Sequence, residues 1–254
     1  MHISDFTEKM QLIAPRELRM DYDNVGLLIG PEKQEIRRVL VALDCTTLTA
    51  KEAVEWDADI MLTHHPVFFR GTKRISPHDP ATAGAYMLIR HGIGLFAAHT
   101  NLDAAEDGVN DALAEAIGVK DTVPMEPDGL GRIGTLDKPM RFGEFARAVE
   151  QRLNTAVRIS GAEERIISRV AVIGGAAGEY AEAAHSAGAD AFVTGECKHH
   201  EALYAREAGI CLIDAGHYET EKTVLDRLIK RLHCDGDDVQ YKVSEYEYGP
   251  LRKL

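Results

Sequence analysis

The chain has 254 residues, 45% of them hydrophobic, which is enough for two modest domains or one large one with a buried core. Lysine and arginine number 29 against 41 aspartates and glutamates; the resulting charge of −12 repels phosphate backbones, so nucleic acid is not an expected partner, although a local basic pocket is compatible with that balance. No apolar run approaches the roughly 18 residues of a membrane span. Met1-His2-Ile3-Ser4-Asp5 is no secretory leader, and the four cysteines (Cys45, Cys197, Cys211, Cys234) contain no CxxC pair, so a cytoplasmic protein with reduced thiols is expected.

Short apolar strands alternate with amphipathic helices. Arg38 to Asp44 (RVLVALD) reads as a buried strand, and Thr46 or Thr47 can cap a helix running to about Trp56. Asp59 to Thr63 is the next strand. Asp79-Pro80 predicts a helix start and His91-Gly92 its end, followed by a strand from Gly94 to Ala98 and a helix from Glu106 to Ile117, stopped by Gly118. Lys120 to Pro139, with three prolines and several glycines, reads as a junction, giving domains over 1–125 and 126–254, with the C-terminal segment free to pack back on the first. Beyond it Phe142, Phe145, Ala146, Val149 and Leu153 recur at helical spacing. Alternation then resumes through Arg169–Ile173, Tyr180–Ala187, Asp190–Thr194, Glu201–Ala208 and Ile210–Asp214. A last helix carries Val224, Leu225, Leu228, Ile229 and Leu232. The fold class is α/β with largely parallel sheets.

The halves resemble each other. Arg38-VLVALD, a helix, Ala58-Asp59-IMLT and His64-His65 match Arg169-VAVIG, a helix, Ala189-Asp190-AFVT and Gly195-Glu196. Each series continues with a helix ending in glycine, a strand, and a histidine followed four residues later by an acid: His99 to Asp103, and His217 to Glu221, the second displaced by one residue. Two similar α/β domains related by a pseudo-repeat are expected. Their strand ends would face a shared cleft, the usual place for a ligand in such folds.

Adjacent side chains on a strand point to opposite faces, so His64 and His65 can serve one site only where a strand ends, and Pro66 marks such an end. His217 and Glu221, if the first turn is helical, share one face. Three histidine-bearing strand ends with carboxylates at matched offsets supply nitrogen and oxygen donors suited to Zn, Mn, Fe, Co or Ni. Five such ligands exceed the needs of one open tetrahedral ion and suit two ions about 3.5–4 Å apart.

The set Asp23-Asn24-Val25-Gly26-Leu27, Thr63-His64-His65-Pro66, His99-Thr100-Asn101-Leu102-Asp103, Thr194-Gly195-Glu196 and Asp214-Ala215-Gly216-His217-Tyr218-Glu219-Thr220-Glu221 resembles the NGG-interacting-factor-three-like family over nearly the whole chain. Bacterial members of that family often carry the label GTP cyclohydrolase 1 type 2 homologue. The resemblance implies two α/β domains, two divalent metal ions per subunit in the cleft between them, and a ring-shaped homohexamer. It implies His64, His65, Asp103, His217 and Glu221 as ligands, with Glu221 bridging. His99, Glu196 and His200 would lie close to the metals, with Glu196 or His99 in a proton-moving, catalytic role. Family members usually have Trp where this chain has Tyr22, and the mid-chain insert of many relatives is absent. The implied activity is metal-dependent hydrolysis of a nucleotide or similar phosphate-bearing small molecule; the alternative is a non-catalytic metal-binding regulator or scaffold. The glycine-rich Gly174-Gly175-Ala176-Ala177-Gly178 is not GxGxxG and reads as a tight strand-to-helix turn. His2, His78, His91, His185 and His233 read as surface residues, Cys197 as a buried small residue, and Tyr241, Tyr246 and Tyr248 as part of an edge strand or a subunit contact.

Overall fold

The computed structural model describes residues 1–233 and 238–251, so Cys234 lies outside the described residues. In chain order the elements are α1 (Ile3–Ile13), β1 (Gly26–Ile29), β2 (Arg38–Ala42), α2 (Thr47–Glu55), β3 (Ile60–Thr63), α3 (Ala83–Arg90), β4 (Gly94–Ala97) and α4 (Thr100–Ala104). They continue with α5 (Val109–Ile117), β5 (Lys120–Pro124), β6 (Arg132–Arg141), α6 (Phe142–Leu153), β7 (Arg158–Ser160), β8 (Ile166–Ala176) and α7 (Ala181–Ser186). Last come β9 (Ala191–Glu196), α8 (His199–Ala208), β10 (Cys211–Asp214), α9 (His217–Glu221), α10 (Thr223–Leu232) and β11 (Gln240–Val243).

The chain forms two compact units, Met1–Ala105 with Leu225–Tyr248, and Glu106–Val224 with Gly249–Leu254. Position 125/126 therefore falls inside the second unit, and β11 and α10 from Leu225 onward belong to the first. In the first unit the strand order is β1-β4-β3-β2-β11, parallel except for β1. In the second it is β5-β6-β8-β9-β10-β7, with β8, β9 and β10 parallel. The fold class is α/β, as the alternation predicts.

The pseudo-repeat extends to individual hydrogen bonds. Asp59 accepts from the amides of Arg37 and Arg38 at the start of β2, and Asp190 accepts from those of Ser168 and Arg169 in β8. Ala98 N–H donates to Thr63 O at 2.9 Å, and Ala215 N–H to Thr194 O at 2.8 Å. Each parallel core is apolar on both faces. Val39, Leu40 and Val41 are fully buried in one, as are Val170, Ala171 and Val172 in the other, as expected of strands covered on two sides. In the second unit α6 buries Phe142, Phe145 and Val149, each contributing about 1.5–3 kcal/mol on leaving water.

Three readings need correction. Lys120 to Pro139 is no junction: it makes edge strand β5 and most of β6, with Pro124 ending the edge strand and Pro139 in a register irregularity between Thr135 and Met140. Prolines are tolerated at those two places because neither has to donate to the ladder. The helix expected from Pro80 starts at Ala83; residues 79–82 are turns, closed by Thr82 and Ala83 amides on Asp79 O. The final helix is broken at Lys222 into α9 and α10.

Candidate metal centre

Strand register assembles the first unit's cluster. Ala42 lies opposite Thr63, and Thr63 opposite Ala97. Two residues past these partners stand Asp44, His65 and His99, at one level beyond the carboxyl ends of β2, β3 and β4. Neighbouring strands are about 4.8 Å apart, and the His65 and His99 ring centroids are 5.5 Å apart. β3 ends at Thr63, and the His64 ring lies 4.9 Å from that of His65 and 5.1 Å from that of His99. One ring nitrogen from each of the three lies within 4.8 Å of the others, a spacing that can hold a metal ion. Asp103, in the short helix α4, brings Oδ1 to 3.6 Å from His64 Nε2.

Every imidazole is oriented through Nδ1. His64, buried, donates Nδ1–H to Ala98 O at 2.8 Å. A carbonyl only accepts, so the neutral ring carries its lone pair on Nε2. His65 Nδ1 is 3.0 Å from Asp44 Oδ1, and His99 Nδ1 is 2.9 Å from Asp23 Oδ1. A carboxylate or carbonyl behind Nδ1 is the usual support of a metal-binding histidine: it selects the tautomer and raises the basicity of Nε2. Burial alone would raise the Asp23 carboxyl. Hydrogen bonds from His99 and from the Thr100 hydroxyl and amide outweigh it and hold the group at about 2. Asp44 is fixed in turn by Glu247, whose carboxylate accepts from the Leu43 and Asp44 amides at 2.8 and 2.7 Å. Burial raises the Glu247 carboxyl above its ordinary range.

The second unit repeats the device. His217 opens α9, its Nδ1 3.0 Å from Glu196 Oε1 and its Nε2 3.2 Å from Glu221 Oε1, one helical turn on. Glu221 is 4% exposed. The glycine-rich segment makes room for this pair. Gly175 (φ +68°) donates its amide to Thr220 Oγ1 at 3.1 Å, and a Cβ there would overlap the Glu221 carboxylate. The tight turn expected over Gly174–Gly178 is instead the irregular end of β8, shifted in register between Ile173 and Ala176 and followed by a 3-10 helix over Gly178–Tyr180, and this strand end floors the Glu221 site. His200 is largely exposed, 3.8 Å from Glu201 Oε1. A cavity of about 1160 Å³ adjoins Glu196 and His217.

Imidazole nitrogen with carboxylate oxygen matches borderline divalent ions, so the residues fit a metal. His2, His78, His91, His185 and His233 are exposed. Cys197 is half-buried rather than buried; burial and the nearby Glu201 and Asp214 push its thiol up, so it stays protonated. Tyr241 lies on β11, an edge strand. Sequence reasoning missed Asp44 and Glu247 and gave Asp23 no role. The register signal was present for Asp44, the last residue of RVLVALD.

A model of the family Duf34/NIF3 (NGG1p interacting factor 3) matches residues 1–250. The chain belongs to the Duf34/NIF3 family. A Clostridium perfringens relative called GTP cyclohydrolase 1 type 2 homolog is 32% identical over 99% of both chains. A Schizosaccharomyces pombe relative, Protein NIF3 homolog, is 31% identical over 99% of this chain and 98% of its own. The crystal structure of a hypothetical protein of Staphylococcus aureus superposes with a TM-score of 0.91 at 30% identity, covering 100% of this chain and 99% of that one. The motif resemblance is thereby borne out for this Duf34/NIF3 member. Among its described residues no helix is long and apolar enough to cross a membrane.

Proposed function

We propose that this protein is a metal-dependent hydrolase acting on a nucleotide-like substrate, with His64, His65, Asp103, His217 and Glu221 as ligands of two divalent ions. The reading rests chiefly on one observation: each imidazole of the clusters has Nδ1 tied to a carboxylate or carbonyl, which leaves the basic nitrogen at Nε2. His64, His65 and His99 are held in this way in the first unit, and His217 in the second. The names of relatives such as the Clostridium perfringens protein add the substrate class.

When bound, a divalent pair supplies Lewis-acid polarisation and a nucleophile at neutral pH. The chain's own groups do the rest. Asp23, ionised down to about pH 2, holds His99 with Nε2 as its basic atom, and in this reading His99 would accept or return a proton there. Glu196 holds His217 through Nδ1 and steers Nε2; its own role in moving a proton would follow that contact. A homohexameric assembly is part of the same proposal, checked by sedimentation.

The test is turnover of a nucleotide panel by protein loaded in turn with Zn, Mn, Fe, Co and Ni. Hydrolysis in one metal form, abolished by Glu221→Ala, is the expected result. Fully loaded protein that turns over no member would favour a metal-binding regulator.

A further inference from the structure

We infer that the loop from Phe68 to Ile75 is an anion-recognition element that seats the phosphate of a phosphorylated aromatic substrate beside the first unit's imidazoles. The inference deepens the proposed function and rests on that reading for its substrate class. Against a net charge of −12, the sequence has no acidic residue between Asp59 and Asp79, and Arg70, Lys73 and Arg74 fall within five positions of that interval. A cavity of about 620 Å³ is lined by these three cations together with Asn24, Phe69 and Thr72. Arg74 reaches Asp79 at 3.5 Å. Arg70 and Lys73 have no carboxylate within 4.0 Å among the described residues, and both are exposed. Guanidinium and ammonium groups not neutralised by an acid are phosphate ligands, the first by a bidentate fork and the second as a point charge.

The same cavity has an aromatic wall. Phe69 is 40% exposed, and its ring centroid lies 5.9 Å from that of His99. A planar base against that ring would lie next to the imidazoles. Two consecutive residues fix this proximity: Asp23 holds His99, while the Asn24 side-chain amide donates to Phe68 O at 2.8 Å. The second unit's larger cavity offers no equivalent. Its Arg158 is paired with Asp214, and its Lys198 lies 3.1 Å from Glu201.

Isothermal titration calorimetry on the purified full chain, with GMP, guanosine and inorganic phosphate as titrants, tests this directly. Wild type is expected to bind GMP at least tenfold tighter than guanosine. The Arg70→Ala/Lys73→Ala double variant should lose that advantage while keeping guanosine affinity, circular dichroism and metal content unchanged. Phe69→Ala should weaken GMP and guanosine alike, and Arg158→Ala neither. A double variant that binds GMP like wild type, or a wild type that does not distinguish GMP from guanosine, overturns the inference. Metal content separates the two proposals: a metal-free chain that still loses GMP binding on the double substitution retains this one and removes the hydrolase reading.

Discussion

Asp44, Asp23 and Glu196 touch the histidines from behind, and under the proposed function they would orient the imidazoles rather than ligate a metal. Asp44→Asn keeps the shape but removes the charge that selects the His65 tautomer. Support of this kind is worth roughly 10–100-fold in metal affinity, so competition with a chelating dye should show a loss of that size with an unchanged circular dichroism spectrum. Gly175→Ala acts differently. An L-residue at φ +68° costs about 1–2 kcal/mol, and the added methyl overlaps the Glu221 carboxylate. The variant is expected to melt several degrees lower and to bind metal more weakly, whereas Gly188→Ala, also at positive φ but with nothing near its Cβ, should show only the melting change. These residues divide by what a sequence can show. His64, His65, His99 and His217 stand out because histidine after an apolar strand has few other uses. Asp44 and Glu247 do not, because an acid after a strand is common and its role depends on which strand lies alongside.

At the level of elements, the repeated β-α-β-α-β series was legible because parallel strands covered on both faces are continuous apolar runs. β5, β6 and β7 were not: β5 and β7 are the sheet edges and β6 lies next to β5, all three carry exposed polar residues, such as Lys120, Asp121, Asp137, Lys138 and Arg158, and hydrophobic pattern is weakest where only one face is covered. The fastening of β11 was equally invisible, since its partner is distant in sequence. Glu52 on α2, 2% exposed, accepts from the Glu245 and Tyr246 amides at 3.0 Å and from the Ser244 hydroxyl, and lies 3.0 Å from Lys242 Nζ. Burial opposes ionisation of Glu52, but these hydrogen bonds prevail and its carboxyl is lowered. A lowered carboxyl contributes stability above its unfolded pKa of about 4.3, and that contribution is lost as pH falls through the lower folded value. Glu52→Gln should therefore destabilise the chain at pH 7, by about 1.5–3 kcal/mol for weakened hydrogen bonds to a buried charged group. It should also flatten the acid limb of a stability-against-pH curve measured by urea unfolding; a parallel downward shift of the whole curve would contradict this.

For the whole molecule, bound metal is expected to be part of the stability. Ions that bind only the folded chain stabilise it by about 2.7 kcal/mol per site at a hundredfold excess over Kd, or roughly 5–10 °C in melting temperature for units of this size. Chelator should lower the melting temperature by that amount in wild type and leave His64→Ala/His217→Ala, already metal-depleted, unmoved. The acidic balance of the chain as a whole and the acid-free interval around Arg70 have separate consequences. The first predicts no salt-sensitive binding to DNA, and the second predicts retention of a small phosphate ester.

The most direct measurement is elemental analysis of protein purified without added metal, wild type beside Glu221→Ala. About two divalent ions per chain in wild type and a marked loss in the variant are expected. A wild-type chain that comes out free of transition metal and takes none up on dialysis would contradict the account.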